Sequence, residues 1–258
     1  MASGMALEDA RESALATADE LSRASQREVG SDLIAVILHG SLVSGDLVVD
    51  RSDIDLLVIV SGSLTAQQKS NLGTSVTSLA HDRWLDYRVV TSETARQLSP
   101  SPMLDFYVGR HPDLPEGVEI EHDVIAEPDL LFEFDICRQA GRSLVGPRPT
   151  DVIGAVPEDW LLNLGDQYLK RWQEIDYDEH SAELMVLTAC RLWYRSREHR
   201  HCTKSEAARW VMRQAAELRA PKLALERRTT DATPAISEAD VMTLLTRVRT
   251  VLAHRHHA

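Results

Sequence analysis

The chain has 258 residues, room for one large domain or two small ones. It is 43% hydrophobic with a net charge of −12, so it can pack a core but lacks the basic surface that general nucleic-acid binding needs. No apolar run of about 18 residues is present to span a bilayer, and three cysteines without C-x-x-C spacing (Cys137, Cys190, Cys202) suit reduced thiols in a cytoplasmic protein.

Residues 6–29 carry helical periodicity, with Leu7, Ala10, Ala14, Ala18 and Leu21 on one stripe. The first 27 residues are acidic and amphipathic, unlike a signal peptide. Residues 33–39 and 53–60 read as buried strands, with a turn at Ser44-Gly45-Asp46 between them. Residues 64–80 read as a helix capped by Thr65, and 84–91 as a third strand. This succession predicts an α/β (α+β) domain with a mixed sheet backed by helices. The segment 97–128 holds five prolines (Pro100, Pro102, Pro112, Pro115, Pro128) and is expected to contain a short hairpin. A helix is expected over 129–144, ending before Gly146-Pro147. Beyond Pro157 the pattern predicts helices over 158–174, 181–199, 204–219 and 237–254, with 220–236 as a polar connection. Domains are therefore expected over 1–150 and 151–258, the second an all-α helical bundle. The final His-Arg-His-His reads as a solvated tail.

The chemistry concentrates in residues 39–60. Gly40-Ser41 ends one strand, and Asp53 and Asp55 open the next at i and i+2, on one face. Paired carboxylates are costly to bury without a cation. Hard oxygen ligands suit Mg²⁺, which normally combines one or two protein carboxylates with nucleotide phosphates. The Gly-Ser turn offers N–H groups and a hydroxyl to a phosphate. Two-metal phosphoryl chemistry needs a further acid to bridge the second ion or deprotonate a hydroxyl. Asp86, in the third strand, is the candidate; a salt bridge to Arg88 on the same face is the competing reading. Asp82 is the fallback, and Asp46 and Asp50 suit turn roles.

A Gly-Ser pair followed after about a dozen residues by D-x-D resembles the nucleotidyltransferase superfamily signature. The stretches Ser143-Leu144-Val145-Gly146-Pro147, Val186 to Tyr194 (with Arg191-Leu192-Trp193-Tyr194) and Thr203 to Trp210 resemble the streptomycin/spectinomycin adenylyltransferases. The resemblance implies a two-domain enzyme, with its active site in the cleft, that transfers AMP from ATP to a hydroxyl of an aminocyclitol or aminoglycoside. It implies that Asp53 and Asp55 hold Mg²⁺, and that Asp86 is the base where the family commonly has the longer Glu. Two Mg²⁺ ions are expected, with Asp86 a further metal ligand. The resemblance places Gly40, Ser41 and Ser52 at the phosphates, and Arg191 and Lys204 as a clamp on the triphosphate, a role Arg fills bidentately and Lys as a point charge. Trp172, with Asp176 or Asp178, resembles the family's substrate-binding aromatic and acid. The earlier streptomycin-binding aromatic has no matching position, though Phe106 and Tyr107 lie nearby.

Residues 113–135 hold nine acids and no Lys or Arg, and 174–183 hold five acids in ten residues. Such stretches could attract a polycationic substrate or simply be solvated. The expected partners are ATP and a cationic small molecule, with no nucleic acid or membrane, acting on a monomer. The alternatives are adenylyl transfer to another small alcohol or a protein, or a non-catalytic nucleotide-binding regulator.

Overall fold

The computed structural model describes residues 2–49, 51–111, 117–230 and 232–254. Asp50, Pro112, Asp113, Pro115, Glu116 and the tail beyond His254 therefore lie outside the described residues. The chain divides into two compact units, Met1–Val156 and Pro157–Ala258.

The first unit is built on one sheet. In chain order it comprises α1 (Ala2–Val29), β1 (Leu33–His39), α2 (Gly40–Ser44), β2 (Ile54–Val60), α3 (Ala66–Leu79), β3 (Leu85–Thr91) and α4 (Ser92–Arg96). It continues with β4 (Leu104–Arg110), β5 (Glu119–Val124), α5 (Leu130–Ala140), β6 (Arg142–Val145) and α6 (Pro149–Val152). Among the described residues the strands lie in the order β5-β4-β3-β2-β1-β6. β2 and β3 run parallel, and every other neighbouring pair is antiparallel. The mixed sheet expected from the sequence is thus the one observed.

One sheet face carries apolar rows from β1 to β4. Val36, Val58, Val89 and Phe106 form one cross-strand row, and Leu38, Leu56, Tyr87 and Val108 the next. α1 and α3 cover these rows with Ala14, Ala18, Leu21, Leu72 and Val76. In α1 the buried positions Ala14, Ala18, Leu21 and Ser25 follow the i, i+4, i+7, i+11 stripe of an amphipathic helix. The Ser25 hydroxyl lies 2.7 Å from the Tyr87 hydroxyl, so the buried phenol has a partner. Thr65 caps α3 in a capping box with Gln68, as Thr65 was expected to do. Buried Lys69 on α3 bonds Asp123 at 2.6 Å and lies 3.3 Å from Asp105, tying the β4–β5 hairpin to the helix.

The opposite face is covered by α5, which packs Leu130, Phe134 and Cys137 against Ile37, Leu57, Ile59 and Val90. Here the structure corrects the sequence reading. The helix expected over 129–144 stops at Ala140, and Arg142–Val145 is instead the edge strand β6 paired with β1. A Cβ at Gly141 would sit 2.5 Å from the Cys137 carbonyl oxygen, so the chain turns there without room for a side chain.

The second unit holds α7 (Glu158–Glu174), α8 (Ala182–Glu198), α9 (Lys204–Gln214), α10 (Ala220–Thr229) and α11 (Glu238–Ala253). Two expectations need correcting. The helix expected over 204–219 ends at Gln214, and the expected connection 220–236 begins with α10. Pro221 sits in the first turn of α10, where its missing N–H costs nothing. Five helices rather than four therefore make up this unit among the described residues. Among the described residues no helix is long and apolar enough to cross a membrane.

Candidate active site

Below the apolar rows, the α5-covered face turns polar. The antiparallel and parallel registers align His39 with Asp55, Asp55 with Asp86, Asp86 with Gly109, and Gly109 with Glu119. Adjacent strands in such a row lie about 4.8 Å apart. The next row runs Ile37, Leu57, Arg88, Tyr107, Glu121. Asp53 precedes β2 and is half-buried like Asp55. The end of β1 explains the Gly-Ser motif. Gly40 has φ +68°, and a Cβ there would sit 1.8 Å from Asp55 Oδ2. The first residue of α2 therefore lies against the Asp55 carboxylate, which only glycine permits. Ser41 follows in α2, and its carbonyl accepts from the Gly45 and Asp46 N–H groups.

Asp86 meets Arg88 in a bidentate pair. Arg88 Nε donates to Asp86 Oδ1 at 2.7 Å and Nη2 to Oδ2 at 3.1 Å. Arg88 Nη1 reaches Glu127 Oε1 at 3.4 Å, and its Cζ lies 5.2 Å from the centre of the Tyr107 ring. Burial works to lower the Arg88 pKa, but Asp86, Glu133 and Glu127 outweigh it and hold the group firmly charged. Burial pushes Glu127 and Asp129 above the usual carboxylate range despite Arg88. Burial, followed by the charge of Asp86, also raises the Tyr107 phenol. His39 Nδ1 lies 3.3 Å from Glu133 Oε2, and burial lowers the imidazole to about 4, so it is neutral near pH 7.

The other candidates fall into separate settings. The Ser52 hydroxyl accepts from the Val48 N–H at 2.8 Å, which folds the loop before β2. Asp82 is exposed in the turn before β3, 3.9 Å from Arg83. In the second unit, Lys204 is the first residue of α9, whose N-cap Thr203 accepts from the Glu206 N–H. Arg191 on α8 is half-buried and close enough to influence the Cys202 thiol, which burial raises to about 12. Trp172 stacks on Tyr168 with ring centres 6.2 Å apart. Asp176 is exposed. Asp178 accepts from the His180 N–H, the Ser181 N–H and the Ser181 hydroxyl. Those bonds lower its pKa and give it a turn-capping role ahead of α8.

Residues 18–139 match the nucleotidyltransferase domain family, and residues 151–253 match the C-terminal domain of aminoglycoside adenylyltransferases. The chain belongs to the aminoglycoside adenylyltransferase family. Its relatives include aminoglycoside (3'')(9) adenylyltransferases of Klebsiella pneumoniae and Shigella flexneri. Each is 28% identical over 200 residues, covering 72% of this chain and 74% of the relative. The Escherichia coli enzyme of the same name is also 28% identical, with 73% of its length covered. The fold is similar to that of a spectinomycin adenyltransferase, AAD(9), from Enterococcus faecialis, solved with ATP and spectinomycin. That match has a TM-score of 0.74 and 17% identity, covering 93% of this chain and 99% of that one.

This adenylyltransferase is thus a nucleotidyltransferase whose signature acids share one end of one sheet face. The donors there suit a hard cation: carboxylate oxygens, one of them lodged where a Gly40 side chain would otherwise be. Among the described residues no three His, Cys, Asp or Glu side chains group so as to hold a metal ion by themselves. Sequence reasoning missed His39, Glu127 and Glu133 as neighbours of the acids. His39 carried a usable signal, since it lies one residue before Gly40 and shares strand parity with Ile37.

Proposed function

We propose that this enzyme transfers AMP from Mg²⁺·ATP to a hydroxyl of spectinomycin or a related aminocyclitol or aminoglycoside, and thereby confers resistance in the cytoplasm. The observation that carries the reading is the level placement of Asp55 and Asp86 on neighbouring parallel strands, with Gly40 against Asp55. The names of the relatives, and the ATP and spectinomycin in the AAD(9) structure, support the acceptor class.

Asp53 and Asp55 would hold Mg²⁺, with Asp86 a ligand to a second ion, and the metal supplies charge to neutralise the triphosphate. Asp86 accepts the proton of the substrate hydroxyl. That oxygen bonds to the α-phosphorus as the bond to pyrophosphate breaks. Gly40 and Ser41 bind phosphate oxygens at the turn. Arg191 and Lys204 are the proposed phosphate contacts of the second unit, and Lys204 at a helix N-terminus is compatible with a bound anion. Ser52 shapes the loop that carries Asp53, a role its bond to Val48 already supports. For the acceptor, Trp172 and Asp176 remain the proposed contacts in the second unit, with Asp178 holding the turn that presents them. The enzyme is proposed to act as a monomer.

The test is pyrophosphate release from ATP and Mg²⁺ across a panel of spectinomycin, streptomycin and other aminoglycosides. Release with spectinomycin is expected, and Asp86→Asn should cut it by about 10² to 10⁴-fold while ATP still binds. Silence across the panel with ATP bound overturns the antibiotic reading and points to another acceptor or a regulatory role.

A further inference from the structure

We infer that Arg88 is a positioning residue for the transfer: anchored on the Tyr107 ring and Glu127, its guanidinium sets the orientation of the Asp86 carboxylate. The inference rests on the proposed role of Asp86 as the base.

An Asp side chain on a strand can rotate about two bonds, and a base that is free to turn meets its proton only part of the time. Here both oxygens are fixed by the fork of Arg88, at 2.7 and 3.1 Å. A carboxylate has about four lone-pair sites, so a fork using one on each oxygen leaves others for a hydroxyl or a metal. Arg88 is itself held from two other elements. The Tyr107 ring on β4 lies under the guanidinium, and Glu127, in the segment before α5, takes Nη1 at 3.4 Å. The Arg88 side chain is only 14% exposed and that of Asp86 19%, unlike a solvated surface pair that would hold no fixed geometry. The arrangement is also separable from the packing of β3. Tyr87 and Val89 anchor that strand through the opposite face, where α1 and α3 cover it. Arg88 further places a positive charge among Asp86, Glu127, Asp129 and Glu133, where it keeps the acids together and opposes a cationic acceptor.

The experiment uses the full chain and the acceptor that gives turnover. Arg88→Met keeps much of the side chain's length and removes the fork. The expected result is a kcat lower by on the order of 10²-fold, with calorimetric affinity for Mg²⁺·ATP (no acceptor present) within about twofold of wild type. The acceptor KM should stay level or fall, because a repelling charge is gone. Arg88→Lys restores the charge without the fork and should remain at least about tenfold below wild type in kcat. An unchanged kcat in Arg88→Met, full recovery in Arg88→Lys, or equal losses of nucleotide affinity and kcat each overturns the inference. Glu127→Ala removes only the second anchor and serves if Arg88→Met fails to fold. It should lower kcat about fivefold at unchanged nucleotide affinity, and an unchanged kcat overturns the anchor. A wild type silent on every acceptor overturns the proposed function and this inference together, whereas an active wild type indifferent to Arg88 overturns the inference alone.

Discussion

The two faces of the central sheet use the same strands in the same register for different ends. Toward α1 and α3, the rows Val36-Val58-Val89-Phe106 and Leu38-Leu56-Tyr87-Val108 stay apolar from β1 to β4. Toward α5, the row Ala35-Ile59-Val90 is apolar, the next carries Arg88 and Tyr107, and the third carries His39, Asp55 and Asp86. Because side chains alternate along each strand, every acid has apolar neighbours in sequence that bury on the far side. Both faces bury apolar side chains, but only the α5 face gives one end over to like charges, which it collects there without dissolving either core. Stability and chemistry are thereby interleaved in sequence and separated in space.

Substitutions on the two faces should then part company. Asp55→Asn should lower kcat/KM by more than about 10³-fold, near 4 kcal/mol of transition-state free energy. Its melting temperature should stay close to wild type, and a matching fall in thermal stability would break the separation. Leu56→Ala, one residue away on the other face, should cost about 3 kcal/mol in chemical denaturation. Pyrophosphate release per folded molecule should be retained. Gly40→Ala tests the seam, since it forces a side chain into φ +68° and against Asp55 Oδ2. About 2 kcal/mol of stability should be lost, together with most of the activity. Tyr87→Phe removes only the hydroxyl bonded to Ser25 and should cost about 1 kcal/mol in denaturant titration with normal turnover.

The parts legible in the sequence are those written in short-range pattern. The apolar runs of β1, β2 and β3, the Thr65 cap, and the i, i+2 spacing of Asp53 and Asp55 need no knowledge of partners. β6 escaped because a four-residue strand is too short to show its period, and the helical run before it blends into Arg142–Val145. α10 escaped because Pro221 and a polar composition look like a linker, although proline in a first turn is a helix-start signal. At the site, the Asp86–Arg88 pair was visible as an i, i+2 possibility. Its enclosure was not, since it depends on Tyr107 and Glu127 arriving from distant segments. The acidic stretch 113–135 resolves into distinct jobs: Asp123 pairs with Lys69, Glu127 with Arg88, and Glu133 sits beside His39. The pattern Asp178-x-x-Ser181 is a local capping signal that needs no knowledge of partners.

The parallel pairing of β2 and β3 carries an evolutionary consequence. Asp55 and Asp86 are level because the two strands count residues together from Ile54 and Leu85 to Val60 and Thr91. Loss or gain of one residue inside either strand would turn an acid toward the α1/α3 core and bring a hydrophobe to the acidic end of the other face. In the crossover between the strands, the loops on either side of α3 are under no such count. Insertions and deletions that accumulate as such chains diverge should therefore gather in those loops and avoid both strands.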